Sequence, residues 1–138
     1  MVGADVVAAR AGADPGGVAL TVEGGDDLTY GPWEVRSNAV ARGLAARGVG
    51  AGDRVGLRFD ASHWALFAAA HLGVLKAGGV AVLLSPGAAT LDLVRAISHS
   101  GVVGMLCNTP ALSVPPPVWV AHPEEVAAGR DTGPVLVP

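Results

Sequence analysis

Two short polar segments hold the side chains best placed to bind a ligand. Asp60-Ala61-Ser62-His63 and Ser85-Pro86-Gly87 each follow an apolar run with the composition of a β-strand. In open α/β folds, ligands bind beyond the carboxyl ends of the strands. The candidate cofactor-binding residues are therefore Asp60, Ser62, His63, Ser85 and Gly87. Turn and helix-cap roles are the more common use of such residues, and this alternative stays open.

The other residues that could support catalysis do not form a pattern. His63 and His71 are eight positions apart, His99 is predicted on a polar helix face, and His122 precedes a proline. This spacing fits neither a set of metal ligands nor a nucleophile beside its base. We therefore assign no catalytic residue and no metal site. The single cysteine, Cys107, ends an apolar run and is expected to be a buried thiol.

The apolar pattern predicts strands that alternate with helices. Residues 18–22 and 28–30 flank a glycine-containing turn and predict an N-terminal β-hairpin. Further strands are predicted at residues 55–59, 80–84, 102–107 and 118–120. Helices are predicted from Pro32 to about Gly48, over residues 63–76, and from about Thr90, with Leu91 facing inward. This order indicates an α/β fold with an open, mainly parallel sheet and flanking helices.

The length of 138 residues fits one domain, which we place over residues 1–138. Its core is predicted to span residues 17–121, because prolines after Asn108 interrupt the regular pattern. Residues 122–138 are expected to form a loosely held tail. The helix predicted over residues 63–76 is apolar around nearly its whole circumference, which is typical of a helix covered on all sides. Either the N-terminal segment or a second chain would have to cover it.

Composition argues against several classes of partner. Formal net charge is −3 and the nine basic residues are scattered, so the chain lacks the basic patch of a nucleic-acid-binding protein. No apolar run is long enough to span a bilayer or to act as a signal peptide, so we expect no membrane association and a cytoplasmic location. Charged residues make up only 15% of the chain, compared with about 25% on average, which suggests a covered surface.

Three motifs follow one another along the chain. They are Leu28-Thr29-Tyr30 with Trp33-Glu34 behind it, Gly50-Ala51-Gly52-Asp53-Arg54-Val55, and Leu75-Lys76-Ala77-Gly78-Gly79 ahead of a strand. In this order they resemble the opening segment of the adenylate-forming superfamily, which includes acyl- and aryl-coenzyme A ligases and the adenylation domains of peptide synthetases. The likeness extends from Leu28 to Cys107. The strand after the third motif lacks the family's tyrosine, and Ser85-Pro86 replaces its usual polar-proline turn.

The resemblance implies that this chain corresponds to half of the family's N-terminal domain. Complete members use ATP, magnesium and a thiol of coenzyme A or a carrier protein to convert an acid into an acyl-adenylate and then a thioester. The family's Ser/Thr/Gly-rich loop ending in lysine, which binds the ATP phosphates, is not found between Met1 and Pro138. No cofactor is therefore expected for the isolated chain. Lys76 belongs to the third motif and is not the family's catalytic lysine, whereas Ser85–Gly87 could be a remnant of a coenzyme A pocket.

Two classes of function follow from these observations. In the first, the chain is the N-terminal fragment or subdomain of an adenylate-forming ligase, inactive alone and completed by a complementary fragment or a larger enzyme. In the second, it is a non-catalytic binding or assembly module that forms a homo-oligomer or docks on a partner. A small repurposed enzyme of a biosynthetic pathway would be favoured only if the carboxyl-edge loops enclosed a cavity containing histidine. The sequence does not specify the acid.

Overall fold

The computed structural model describes residues 2–21, 23, 25–109 and 114–135 of the 138-residue chain. Its helices are α1 (Val2–Ala13), α2 (Tyr30–Ala46), α3 (Trp64–Lys76), α4 (Thr90–Ser100) and α5 (Pro123–Ala127). Its strands are β1 (Val18–Leu20), β2 (Leu28–Thr29), β3 (Arg54–Arg58), β4 (Val80–Leu83), β5 (Gly104–Cys107) and β6 (Trp119–Ala121). Val22, the predicted end of the first strand, lies outside the described residues.

The central sheet has four strands in the order β4-β3-β5-β6. All three pairings are parallel, with Val55 opposite both Ala81 and Gly104, and with Gly104 opposite Trp119. Strands β1 and β2 pair antiparallel as a separate hairpin. The predicted fold class is confirmed, because a parallel sheet with helical crossovers follows an antiparallel N-terminal hairpin.

Alternation along the strands divides the core into two layers. Leu57 of β3 packs with Leu44 of α2 and Val74 of α3 on one side of the sheet. Met105 of β5 packs with Ile97 of α4 on the other side. Successive side chains of a strand point to opposite faces, so β4, β5 and β6 contribute to both layers.

Helix α3 is covered around its whole circumference, since none of its residues is exposed. Ala4 and Val7 of α1 form a buried cluster with Leu72. Trp33 of α2 donates a hydrogen bond from Nε1 to the Ala68 carbonyl at 2.9 Å. The predicted coverage is confirmed, and the N-terminal segment supplies part of it. Helix α1 lies outside the predicted core of residues 17–121, and its apolar pattern does not predict a helix.

Two predicted details of the helices differ from the structure. Helix α2 begins at Tyr30, two residues before the predicted Pro32, and its end is followed by Gly48 with φ of +89°. The prediction that Leu91 faces inward is wrong, because this side chain is 60% exposed. The buried side chains of α4 are Leu93 and Ile97, four residues apart on one face, and Leu91 lies well away from that stripe.

The segment after α5, expected to be loosely held, makes several hydrogen bonds to α2. The guanidinium of Arg42 donates to the carbonyls of Asp131, Gly133 and Pro134 at 2.9, 2.5 and 2.7 Å. Asn38 Nδ2 donates to the Thr132 carbonyl at 2.9 Å. Residues 131–134 are therefore attached to the middle of α2.

One edge of the sheet carries exposed apolar side chains. Strand β4 is the terminal strand, and its Val80 and Leu83 are 47% and 66% exposed. We call these two residues the β4 edge. Such an edge offers free backbone hydrogen-bonding groups to another strand. Among the helices described here, none is both long enough and apolar enough to cross a membrane.

Candidate functional site at the carboxyl edge of the sheet

The loops that follow the four parallel strands meet at one edge of the sheet, where open α/β folds bind their ligands. Asp60 and Asn108, which follow β3 and β5, form a closed pair there. The Asp60 amide donates to Asn108 Oδ1 at 3.0 Å, and Asn108 Nδ2 donates to Asp60 Oδ2 at 2.9 Å. Asp60 therefore holds two neighbouring loops together. Asn108 was not among the predicted site residues.

The predicted Ser85–Gly87 segment forms an exposed turn after β4. Arg58 Nη2 donates to the Pro86 carbonyl at 2.7 Å, and the Ala88 amide donates to the Ser85 carbonyl at 3.3 Å. These backbone contacts fix the turn without using the Ser85 hydroxyl. The arrangement matches the turn role that the sequence analysis left open.

Ser62 and His63 line a cavity of about 460 Å³ together with His122, which follows β6. Ser62 Oγ and His63 Nδ1 are 3.2 Å apart. His122 Nδ1 accepts a hydrogen bond from the Glu124 amide at 3.1 Å, so the ring caps α5. Asp60, Ser85 and Gly87 do not line this cavity. The structure therefore separates the five predicted residues into three small groups.

The cavity also contains Arg36 and Glu124, which were not among the predicted site residues. His122-Pro123-Glu124 carries a recognisable signal, because a polar residue before proline is typical of a helix start. Arg36 carries no such signal, since its position depends on how α2 packs. A cavity with two histidines is the condition set above for a small repurposed enzyme. Ser62 and His63 are adjacent in sequence, however, and within the described chain no third side chain bonds to the His63 ring.

The single lysine is fully engaged inside the protein. Lys76 Nζ donates to Glu34 Oε1, Ser37 Oγ and Asn38 Oδ1 at 2.6, 2.9 and 2.7 Å, which uses all three of its donors. Its side chain is 2% exposed. Burial lowers the pKa of Lys76, and the neighbouring Glu34 opposes that shift. Lys76 in this arrangement is therefore not free to bind a phosphate.

Cys107 is buried at the end of β5, as predicted. Burial raises the pKa of its thiol, while the nearby Arg58 guanidinium acts in the opposite direction. A buried thiol of raised pKa is a poor nucleophile. Among the described residues, no group of three or more His, Cys, Asp or Glu side chains is arranged to hold a metal ion.

Comparison with known proteins relates nearly the whole chain to one family. The sequence profile described as "AMP-binding enzyme" matches residues 7–134. Nonribosomal peptide synthetase flvI of Aspergillus flavus is 48% identical over 60 residues, which are 44% of this chain and 5% of that protein. Nonribosomal peptide synthetase 5 of Gibberella zeae is 34% identical over 111 residues, which are 80% of this chain and 1% of that protein.

Solved structures share the fold at lower identity. The nonribosomal peptide synthetase FmoA3 in its AMPPNP-bound form superposes with a TM-score of 0.85 at 22% identity, covering 98% of this chain and 14% of that one. The N-terminal subdomain of Klebsiella oxytoca NpsA, bound to 3-hydroxyanthranilyl-AMSN, gives 0.77 at 20% identity, covering 98% and 34%. The chain thus spans a small fraction of its full-length relatives and about a third of the solved subdomain.

Proposed function

Because this chain belongs to the AMP-binding enzyme family, we propose that it is the N-terminal part of an adenylation domain. The match over residues 7–134 is the observation that carries the proposal. The enzyme completed by the remaining sequence would activate a carboxylic acid with ATP and magnesium and pass the acyl group to a thiol. Its chemical class would be an acid–thiol ligase, in a biosynthetic pathway and in the cytoplasm.

The proposal assigns the chain a scaffolding role within that domain. Lys76 is occupied by three hydrogen bonds, and the carboxyl-edge loops are held by contacts of their own. The isolated chain should therefore not turn over ATP. The remainder of the domain would contribute the phosphate-binding loop and the catalytic lysine that the resemblance implies.

The β4 edge supports the proposal that this chain is one part of a larger domain. Val80 and Leu83 expose apolar area to water on a strand that, among the described residues, has a neighbour on one side only. A further strand placed beside β4 would cover both side chains and pair its free backbone groups. We therefore propose that the remaining part of the domain packs against this edge.

Two measurements test the proposal. Calorimetry of the 138-residue chain against ATP–magnesium and against coenzyme A should show no binding, and acid-dependent ATP–pyrophosphate exchange should be absent. Joined to the rest of the domain, either in one polypeptide or by coexpression of a separately encoded part, the chain should catalyse the exchange. ATP turnover by the chain alone would contradict the scaffolding role. The absence of a Ser/Gly-rich loop and lysine both from the sequence that continues this chain and from the neighbouring reading frame would contradict the assignment to a ligase.

The β4 edge also favours a second candidate, a stand-alone assembly module that forms a homo-oligomer. Two copies could pair their β4 strands and cover Val80 and Leu83 of each other. Light scattering on the calorimetry sample distinguishes the candidates. A defined dimer that binds neither nucleotide supports the module, whereas a monomer that gains the exchange activity when joined to the rest of the domain supports the ligase fragment.

A further inference from the structure

Residues 131–134 are held on α2 through their backbone carbonyls, and we call this segment the latch. Arg42 donates hydrogen bonds to three of the four carbonyls, and Asn38 donates to the other. These two side chains stand four residues apart on one face of α2. A single helix face thus binds four successive carbonyls.

The latch contributes no buried side chain. Residues 128–132 and Pro134 are exposed, and Gly133 is half-buried. The last buried apolar side chain ahead of the segment is Val126 of α5. Segments with few buried apolar contacts and solvent-exposed hydrogen bonds open at a low free-energy cost. The latch is therefore expected to open separately from the rest of the fold.

Asn38 connects the latch to the buried lysine. It is 1% exposed, and it uses both ends of its carboxamide. Nδ2 donates to the Thr132 carbonyl of the latch, and Oδ1 accepts from Lys76 Nζ. Opening of the latch leaves a buried donor without its partner, which is costly unless water enters. Water that reaches Asn38 would lie beside the Lys76 ammonium.

We propose that residues 131–134 open and close over the polar network of Lys76 while the rest of the chain stays folded, so that solvent reaches Lys76 only in the open state. In the closed state, the ammonium is enclosed by its hydrogen bonds to Glu34, Ser37 and Asn38. Arg42 is the positioning residue that holds the latch closed. This inference is independent of the proposed function, because it concerns the folded chain alone.

The test measures the reactivity of Lys76 with N-hydroxysuccinimidyl acetate. Lys76 is the only lysine of the chain, so acetylation by this reagent reports its accessibility directly. The neutral amine forms an N–C bond to the acyl carbon, the ester C–O bond breaks, hydroxysuccinimide leaves as its anion, and the amine proton passes to solvent. Mass spectrometry follows the rate, with the N-terminal α-amino group as internal reference. Lys76 of the folded wild type should react at least about tenfold more slowly than Lys76 of the chain unfolded in urea. Equal rates would overturn the proposal.

Arg42→Met removes the charged donor that holds the latch but keeps a long side chain. Acetylation of Lys76 should become about tenfold faster or more, because a single hydrogen bond to a charged group is typically worth about that factor. The loss of charge alone predicts the opposite. Arg42 lowers the pKa of Lys76, so its removal raises that pKa and leaves less neutral amine to react. An unchanged or slower rate would contradict the latch.

Asp131→Ala loosens the latch from its own side, without changing α2. The Asp131 carboxylate accepts a hydrogen bond from the Gly133 amide at 2.9 Å, which shapes the segment. Its loss should accelerate acetylation about threefold or more. Thr132→Ala is the matched control, because among the described residues only the backbone carbonyl of Thr132 is hydrogen-bonded. Equal acceleration by the two variants would show that the backbone does not hold the segment.

Ile97→Val distinguishes latch opening from unfolding of the whole chain. Ile97 is buried in the layer on the other side of the sheet, so this substitution lowers global stability without contacting the latch. It should leave the rate without urea unchanged. Acetylation through the open latch should depend little on low urea concentrations, because little surface is exposed. Acceleration as large as that by Arg42→Met, or a steep urea dependence in the wild type, would mean that Lys76 reacts only after global unfolding and would refute the proposal.

Discussion

The ammonium group of Lys76 joins two helices through an enclosed polar network. It bridges Glu34, Ser37 and Asn38 of α2 from the end of α3. Glu34 Oε2 is buried and has no hydrogen-bond partner among the described residues, so the pair is enclosed but not fully satisfied. The sequence places Lys76 at a helix end and gives it a structural role. The identity of its partners depends on how α2 and α3 pack, and this packing cannot be predicted from the local sequence.

Replacing one partner of this pair should be costly. Lys76→Met leaves the Glu34 carboxylate buried without its counter-charge, and we expect a loss of about 3–5 kcal/mol in the free energy of unfolding. The double variant Glu34→Leu with Lys76→Met should recover most of that loss, because neither charge then remains. Urea denaturation of the wild type and both variants measures the difference. A single variant as stable as the wild type would contradict the buried ion pair.

His71 should make stability depend on pH. Burial lowers its pKa below 6.5 in the folded chain, so the unfolded chain binds the proton more readily. Stability should therefore fall as pH decreases through about 6.5 toward the lowered folded value, and His71 adds no further loss below that value. His71→Gln should reduce the difference in free energy of unfolding between about pH 7.5 and 5.5. The exposed His99→Gln is the control, and an equal effect of both variants would refute the assignment.

At the scale of elements, the strands and the helices that cross between them were predictable because their apolar runs are bounded by glycine or polar turns. Helix α1 was not predictable in the same way. Its sequence, VGADVVAARAGA, lacks a continuous apolar stripe, and its inward residues, Ala4 and Val7, contact a helix more than sixty residues away. The position of α1 therefore depends on tertiary contacts.

The contact between α2 and α5 gives a sharp test of packing. A Cβ on Gly43 would lie 1.9 Å from the Val126 carbonyl oxygen, whereas a Cβ on Gly12 of α1 would meet nothing within 4 Å. Gly43→Ala should destabilise the fold by about 1–3 kcal/mol because α5 must move. Gly12→Ala should be neutral or stabilising by up to about 1 kcal/mol, as alanine favours helix. Thermal unfolding distinguishes them, and equal effects would contradict the close approach.

Across the whole molecule, the candidate site combines residues that sequence alone could not bring together. Ser62 and His63 were identified because they follow a strand. Arg36 and His122 reach the same cavity from α2 and from the end of β6. Their proximity depends on the strand order β4-β3-β5-β6 and on how α2 packs, and the sequence pattern specifies neither.

The exposed apolar side chains of the β4 edge are expected to bind a hydrophobic dye and to promote self-association. Leu83→Lys should reduce binding of a hydrophobic dye and any self-association, because a charge on an edge strand opposes strand pairing. The free energy of unfolding should change by no more than about 0.5 kcal/mol, since Leu83 is 66% exposed. Val18→Lys, at a residue 52% exposed on the hairpin, is the control. An equal loss of dye binding in both variants would show that the β4 edge is not a distinct surface.

The hydrogen bonds from Arg42 to residues 131–134 form only after the end of this segment has been synthesised. The partners of the Arg42 guanidinium lie 89 to 92 positions further along the chain. Ribosomes add about 5–20 residues per second, so these partners are made several seconds after Arg42. During synthesis, the Arg42 side chain and the surface of α2 around Gly43 therefore remain exposed to water for several seconds, until α5 and residues 131–134 have been made. Chaperones that recognise exposed helices would bind the protein in that interval. The duration of the interval depends on how quickly the chain is translated through residues 131–134.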